Sequence, residues 1–504
     1  MVRYHTNVIG HGVVAVSRPL PINRRLTVRR CEMRRSACVC CATLTLVTTV
    51  TAQDQRPRRD AAIEFLEADA AGVPPEFEAD VLIRLSQLPK VDRTWRREML
   101  DTAYERAYAA PEQYRRSTNQ QIPADSRQGA QLFAYGTALT RVTLQIRAVQ
   151  LMARIEPLHA RDLFEWIELN LAPGACADPL VPAVDDYYGT LGSIARTAYA
   201  NNRGDAMQFL EFYAWRAHLP SEIPAVARAM QRFRQGPVEA AYLEGLLRLI
   251  LQGSSLDASG FSSAALDIVS RITDLQVADS AIGVTGFTAM DGMRSYLVAQ
   301  LKAPRCADNV SATVTPSTFN AALRRARADS DVSPLESGLT RPLSTLAAAH
   351  IDMFWQSGDA ARLHDGLTRL RGPDAVPVPM RTRQTAEWRS QAERLLTDVE
   401  QWSGLSEAAE RDYFYEKSAL FTWMLELIPP GALHTRALHA FVEFLRHTEA
   451  DVSRRTLWFA FVNRLLELAH GASRAEILSA MEQSHQPVLS LYARLERVAP
   501  ERRP

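Results

Sequence analysis

Apolar residues recur at helical spacing along almost the whole chain, and the strict alternation that marks a β-strand is nearly absent. In residues 74–89, for example, Phe77, Val81 and Leu85 fall on one helical face, and the segment ends at a proline. Similar segments follow one another, separated by short stretches that contain Pro or Gly. Because short turns make consecutive helices antiparallel neighbours, the pattern predicts an all-α fold of stacked antiparallel helical hairpins.

The sequence predicts a first helical hairpin over residues 74–110 and a series of further helices after it. They span residues 126–154, 157–171, 184–200, 205–218, 222–235, 237–252, 261–274, 290–302, 317–328, 342–356, 359–370, 380–403, 407–428, 433–448, 451–470, 474–483 and 486–498. Residues 240–251 are apolar on most faces, Tyr242 and Leu249 included, which predicts an inner helix. Ser473 and Glu476 have the spacing of a capping box, which predicts a helix start between them.

Two arrangements of such hairpins fit the sequence. The preferred prediction is an α-solenoid, in which hairpins stack into an open array, and the alternative is an α/α toroid, in which they close into a ring. The tetratricopeptide and ankyrin consensus patterns are absent. The similarity to such solenoids is therefore one of architecture, and no family follows from it.

The first 52 residues have the composition of a targeting region. They are rich in arginine and hold one acidic residue, Glu32. From Met33 the chain has two arginines, an uncharged apolar stretch over residues 37–50 and a small residue, Ala52, before a polar segment. This order predicts a signal peptide that starts at Met33 and is cleaved after Ala52, with residues 1–32 as an upstream extension. A genuine long leader or an unprocessed anchor is the alternative. We therefore expect a periplasmic or extracellular protein.

Changes in composition divide the remaining chain into three parts. Residues 53–255 form a predicted N-terminal helical array, and residues 341–504 form a C-terminal one. Between them, residues 256–340 are richer in Gly, Ser, Thr and Asp, which predicts a looser connecting region with short helices. Residues 1–52 are the extension and signal peptide.

Two cysteines, Cys176 and Cys306, lie beyond the predicted cleavage site. Both lie in loop-like sequence close to proline, as a link between two connections requires. Exported proteins meet an oxidising environment, so the sequence predicts a Cys176–Cys306 disulfide. Two separate buried thiols are the alternative.

No motif in the sequence assigns a catalytic chemistry. The phosphate-binding loop, the dinucleotide fingerprint, the hydrolase nucleophile elbow, the H-E-x-x-H zinc motif and the haem attachment motif are all missing. Beyond residue 52 acidic side chains outnumber basic ones, which argues against a nucleic-acid partner. We predict no cofactor. The apolar run at 37–50 is too short to span a bilayer, so we also predict no transmembrane segment after signal cleavage.

One group of residues has the spacing of metal ligands. His434, His439, Glu443 and His447 lie on the helix predicted at 433–448, and the last three are spaced to project from one face. Imidazole and carboxylate groups at such spacing can bind zinc. The apolar core face runs beside them, however, which places this line of residues on the solvent flank. The sequence therefore assigns no metal site.

Two further groups hold residue types used in proton transfer. His350 shares a helical face with apolar residues, a pattern typical of a buried histidine that a neighbouring helix satisfies. Asp185, Asp186, Tyr187 and Tyr188 combine paired carboxylates with rings, as glycoside-cleaving sites do. The same acids begin a predicted helix, where the exposed N–H groups favour them. The catalytic residues of any activity thus stay unknown.

Aromatic residues are concentrated in two segments. They are Phe209, Phe212, Tyr213 and Trp215, then Tyr413, Phe414, Tyr415, Phe421 and Trp423. Such density at helical spacing predicts packing between hairpins. Rings left on a concave face would instead form a groove for a peptide or a glycan.

These patterns favour an exported, non-enzymatic helical-repeat protein that binds another protein or a peptide. The alternative is an enzyme built on an α/α toroid, either a polysaccharide lyase or a glycoside hydrolase. Two carboxylates that face each other across a cavity would distinguish the enzyme.

Overall fold

The computed structural model divides after Arg58, and every residue that it describes belongs to the unit Arg59–Pro504. The described residues are 59–111, 115–116, 124–169, 180–181, 184–217, 222–233, 236–256, 264–281, 283, 286–302, 310–339, 354–355, 358–372, 379–383, 385–403, 410–448 and 455–498. The limits predicted for the three parts of the chain after residue 52 stay predictions.

Most described residues are helical. The helices are α1 (Ala61–Ala70), α2 (Pro75–Ser86), α3 (Arg93–Tyr108), α4 (Arg127–Tyr135), α5 (Arg141–Met152), α6 (Pro157–Phe164), α7 (Val184–Thr197), α8 (Arg203–Ala214), α9 (Ile223–Phe233), α10 (Pro237–Leu256), α11 (Ala264–Ala281), α12 (Thr288–Lys302), α13 (Val310–Ala326), α14 (Gly358–Arg371), α15 (Met380–Arg383), α16 (Ala386–Gln401), α17 (Glu410–Leu427), α18 (Ala432–His447), α19 (Arg455–Leu468), α20 (Gly471–Glu482) and α21 (Pro487–Val498). Among the described residues one antiparallel pair of two-residue strands, β1 (Arg115–Arg116) and β2 (Leu180–Val181), accompanies them. The predicted all-α class is confirmed.

The helices stack in rows, as helical hairpins do. In the first row α3, α5, α7, α9, α11 and α13 each pack against the next. The helices α6, α8, α10 and α12 pack onto this row, and α10 and α12 have the most extensive contact of any pair. In the last part of the chain α14 packs on α16 and α17, and the stack continues through α18 and α20 to α21. This is the packing of stacked helical hairpins that the sequence predicts.

The N-terminal and C-terminal helices of the unit pack together. Helices α1 and α2 both contact α21, and α4 contacts α19. Phe77 of α2 lies 5.0 Å from Phe459 and 6.1 Å from Tyr492, measured between ring centroids. The Tyr492 hydroxyl donates to Asp80 Oδ2 at 2.8 Å. No extensive packing joins α10–α13 to α14–α21 in the described part of the chain. Followed from helix to helix, the contacts therefore lead from α13 back to the N-terminal helices of the unit, across to its C-terminal helices and on to α14.

Two long predicted helices are interrupted. The segment predicted at 126–154 is α4 and α5, separated by a turn in which Ala138 has a φ of 57°. Thr140 begins the second helix, since its hydroxyl accepts a hydrogen bond from the Thr143 N–H at 3.3 Å. The segment predicted at 380–403 is α15 and α16, and Thr385 caps the second of them. In both segments the apolar spacing continues across a turn, and a threonine caps the helix that follows the turn.

The predicted capping box at Ser473 is wrong. Helix α20 begins at Gly471, and His470 precedes it without a side-chain cap. Ser473 lies inside the helix, where its hydroxyl is 3.2 Å from the Thr435 hydroxyl of α18. Contact with a neighbouring helix thus replaces the local capping bond that the sequence suggested.

Helices in the region predicted to be loose are longer than expected. α11 has 18 residues, α12 has 15 and α13 has 17, and all three continue the stack. Most of the helix predicted at 342–356 lies outside the described residues, and the two described residues there, Phe354 and Trp355, are not helical. Abundant Gly, Ser and Thr lower helix propensity, but the packing of α11 on α9, of α12 on α10 and of α13 on α11 overrides it.

Candidate functional site

Four large aromatic side chains are exposed on or just after α6, α8 and α10. Trp166 is 76% exposed, Phe212 53%, Trp215 51% and Tyr242 41%. We call these four residues the aromatic surface. Isolated exposed apolar residues are ordinary, but several large rings on neighbouring elements are typical of an interaction site.

Both tryptophans lie in turns that directly follow a helix. Trp166 comes two residues after the last residue of α6, and its N–H donates to the Leu163 carbonyl at 3.2 Å. Trp215 caps the C-terminus of α8, and its N–H donates to the Glu211 carbonyl at 2.9 Å. Since each backbone is tied into the preceding helix, each indole is held at a helix end while its ring stays in solvent.

Glu211 joins the rings of α8 to the ring of α10. Its Oε1 accepts a hydrogen bond from Trp215 Nε1 at 3.2 Å, and its Oε2 accepts one from the Tyr242 hydroxyl. Burial first, and then the Glu211 carboxylate, raise the pKa of Tyr242 to about 12. One carboxylate therefore orients two exposed rings from different helices, which reduces the entropy that a partner would have to overcome on binding.

Buried rings beneath the surface fix α6 beside α8. Phe164, the last residue of α6, lies 5.2 Å from Tyr213 and 4.7 Å from Tyr187 between ring centroids. Tyr213 in turn lies 5.2 Å from the exposed Phe212. The exposed rings thus stand on a rigid aromatic core, as interface anchors usually do.

The two aromatic groups noted in the sequence divide between core and surface. Phe209 and Tyr213 are buried, whereas Phe212 and Trp215 are exposed. In the second group Phe414, Tyr415 and Phe421 are buried, and Tyr413 and Trp423 are partly buried. The interpretation as packing therefore holds for most of these residues, and accessible rings come from the first group.

The inner-helix prediction for residues 240–251 is wrong. Leu243 and Leu247 are buried, but Tyr242 and Leu249 lie on an exposed face of α10. Described neighbours cover only one side of this helix, so its outward apolar residues stay in solvent. Trp166 and Tyr242 are the two members of the aromatic surface that the sequence analysis did not select.

The paired acids at the start of α7 do not form a two-carboxylate site. Asp185 makes an ion pair with Arg228 of α9. Asp186 is exposed as a residue, although desolvation raises the pKa of its carboxyl. Tyr187 and Tyr188 point into the core, and the Tyr188 hydroxyl donates to the buried Glu222 at 2.8 Å. These residues therefore begin a helix and anchor it to α9.

Of the four candidate metal ligands on α18, Glu443 and His447 pair with each other, and His439 pairs with a residue of α20. His434 is buried, and burial lowers its pKa. His439 Nε2 lies 2.8 Å from Glu476, while His447 Nε2 lies 2.7 Å from Glu443 at an exposed edge. In the part of the chain that the structure describes, no group of three or more His, Cys, Asp or Glu side chains is placed to hold a metal ion.

Several sequence predictions fall on residues outside the described ranges. These are the leader with Met33 and Ala52, the two cysteines Cys176 and Cys306, and His350. The signal peptide and the disulfide stay predictions. Of the helices that are described, none is long and apolar enough to cross a membrane.

The side chains around Trp355 form a cluster that the sequence did not indicate as a site. Its N–H donates to Glu416 Oε1 at 2.8 Å, and its Nε1 donates to Asp125 Oδ2 at 3.3 Å. The indole stacks on His364 at 4.6 Å. Trp355 has a φ of 66°, and burial raises the pKa of Glu416. Both N–H groups of Trp355 donate to carboxylates, so the cluster fastens this residue to the segment just before α4 and to α17.

A small cleft of about 210 Å³ lies where α1 meets the turn between α20 and α21. Asp69, Glu482 and Arg494 are among its lining residues. The charges are neutralised internally, because Asp69 pairs with Arg494 and Glu482 pairs with Arg497. This cleft therefore presents little net charge to a ligand, and the aromatic surface is the stronger candidate.

No protein-family model, curated protein or solved structure matches this chain.

Proposed function

We propose that this protein is an exported helical-repeat protein that binds a protein or peptide partner through the aromatic surface. What supports the proposal is the exposure of Trp166, Phe212, Trp215 and Tyr242 on adjacent elements. Tryptophan and tyrosine are the residues most often found at the energetic centre of protein interfaces. The stacked hairpins supply a rigid support for them.

The expected binding energy is concentrated in the two indoles. A large aromatic side chain at the centre of an interface contributes on the order of 2 kcal/mol or more, as judged by its truncation. Trp166 and Trp215 carry the largest side chains of the aromatic surface, and each is more than half exposed. Their removal should therefore weaken binding more than removal of any charged neighbour.

The test starts from peptides selected from a random library on the mature protein. Trp166→Ala and Trp215→Ala should each weaken the binding of selected peptides by about tenfold or more. Phe65→Ala is the matched control, because Phe65 is 57% exposed on α1, a helix that packs on α2 and α21. Peptides that bind all variants equally, or a library that yields no binder, would refute the proposal.

Export is the second part of the proposal. We expect material from the cell envelope or the medium to begin at Gln53, because the signal sequence ends at Ala52. Non-reducing peptide mapping of this material should find Cys176 linked to Cys306. A full-length cytoplasmic product would contradict export, and two free thiols in exported material would contradict the disulfide.

A further inference from the structure

We infer that the segment bound by the aromatic surface is basic and presents arginine or lysine side chains to the two tryptophans. The inference rests on the proposed function and adds the chemical class of the partner. It is carried by the charges, helix ends and ring contacts around Trp166 and Trp215.

Among the described residues of α6, α8 and the turns after them, carboxylates outnumber arginines. Glu165 and Glu168 flank Trp166 in exposed positions, and Glu211 lies one turn before Trp215. The arginine of these segments nearest to either indole in sequence is Arg216, next to Trp215. Arg161 and Arg203, on the same two helices, make ion pairs with Asp162 and Glu239. The region therefore carries a net negative charge that favours a basic partner.

The helix ends add to this negative potential. Trp166 and Trp215 follow the C-termini of α6 and α8. Backbone carbonyls without helical partners make a helix C-terminus equivalent to about half a negative charge. Cations are stabilised at such ends, so both indoles lie where a guanidinium or ammonium group is favoured.

Exposed rings in this protein already accept guanidinium groups. The Arg216 guanidinium lies 4.2 Å from the centroid of the exposed Phe212, and the Arg494 guanidinium lies 5.2 Å from that of the exposed Phe65. Tryptophan is a better cation–π acceptor than phenylalanine. The same contact made by an arginine of the partner would use the outer faces of Trp166 and Trp215.

The experiment uses the mature protein labelled with 5-fluorotryptophan, whose signals for Trp166 and Trp215 are assigned by Trp→Phe variants. The probes are a short peptide of alternating arginine and leucine, the same peptide with citrulline for arginine, and the same with glutamate. Citrulline keeps the shape and the hydrogen-bond donors but removes the charge. We expect the arginine peptide to shift both signals and to bind about tenfold tighter than the citrulline peptide.

A charge variant tests the cause. Glu165→Gln combined with Glu168→Gln should weaken the arginine peptide by about three- to tenfold and leave the citrulline peptide unchanged. Glu387→Gln, an exposed acid on α16, which packs on α14 and α17, is the matched control and should change neither. Added salt should reduce the difference between the two peptides.

The outcomes separate this inference from the proposed function. Equal affinity for the arginine and citrulline peptides, or tighter binding of the glutamate peptide, overturns the basic partner while the binding surface stands. If no probe shifts the two signals, the basic partner is also rejected. The proposed function itself fails if library-selected peptides also leave the Trp166 and Trp215 signals unchanged.

Discussion

The close packing of α10 on α12 gives a sharp test of the fold that supports Tyr242. Gly292 of α12 faces Arg248 of α10 so closely that an added Cβ would lie 3.0 Å from the Arg248 Cα and 3.3 Å from its carbonyl oxygen. Backbone atoms cannot rotate away as a side chain can. Gly292→Ala should therefore force the two helices apart.

The matched variant is Gly245→Ala in α10, where an added Cβ meets no atom within 4 Å. Replacing glycine by alanine inside a helix contributes about 0.5–1 kcal/mol of stability at either position. Overpacking at Gly292 costs about 1–3 kcal/mol, at the upper end because backbone is contacted. We expect Gly292→Ala to lose about 1–2 kcal/mol and Gly245→Ala to gain about 0.5–1 kcal/mol.

Urea denaturation followed by circular dichroism gives the stability difference between the two variants. Hydrogen exchange of amides in α10 and α12 shows whether the loss is local. Because the helix-propensity gain is common to both variants, the difference between them isolates the packing cost. Equal stability of Gly292→Ala and Gly245→Ala would refute the close approach of these helices.

Three further predictions concern buried polar groups, each measured by urea denaturation. Tyr492→Phe removes the hydroxyl that donates to buried Asp80 and should cost about 1–2 kcal/mol, whereas exposed Tyr108→Phe should cost almost nothing. Burial raises the pKa of Glu76, whose carboxylate oxygens lack hydrogen bonds. The folded chain thus binds the Glu76 proton more tightly than the unfolded chain does. Glu76→Gln should therefore raise the free energy of unfolding at neutral pH, and this gain should be lost on acidification. Burial lowers the pKa of Lys417 to about 8, so the unfolded chain binds that proton more tightly. The stability of the wild type relative to Lys417→Met should rise between pH 8 and 10.5. A flat profile in either pH series, or equal costs for the two tyrosines, would contradict these assignments.

The helical segments could be predicted from the sequence because apolar periodicity is a local property. Leu243 and Leu247 of α10 are buried as their spacing indicates. Tyr242 and Leu249 have similar apolar character, yet they stay 41% and 46% exposed. Which faces are covered depends on helices far along the chain, and periodicity carries no information about them. The Ala138 turn was missed for a similar reason, because apolar spacing persists across it.

The site could be predicted only in part. The Glu211 to Trp215 hydrogen bond spans one helical turn, a spacing that can be recognised in the sequence. The contact of Glu211 with Tyr242 joins residues of different helices, and Trp166 enters through the packing of Phe164 on Tyr213. Contacts of this kind join residues that are distant in sequence. The sequence therefore indicates the first aromatic group as a candidate, but not the surface that its exposed rings form with Trp166 and Tyr242.

The most direct test of the central claim is photo-crosslinking in cells that produce the protein naturally. A photoreactive phenylalanine analogue replaces Phe212 in one variant and Phe65 in another. The two positions are matched, since both rings are more than half exposed and each has an arginine guanidinium close by, at 4.2 Å from Phe212 and 5.2 Å from Phe65. If the aromatic surface binds a partner, irradiation gives a discrete adduct of higher mass at position 212 and none at position 65. No adduct at position 212, or the same adducts at both positions, would contradict the claim.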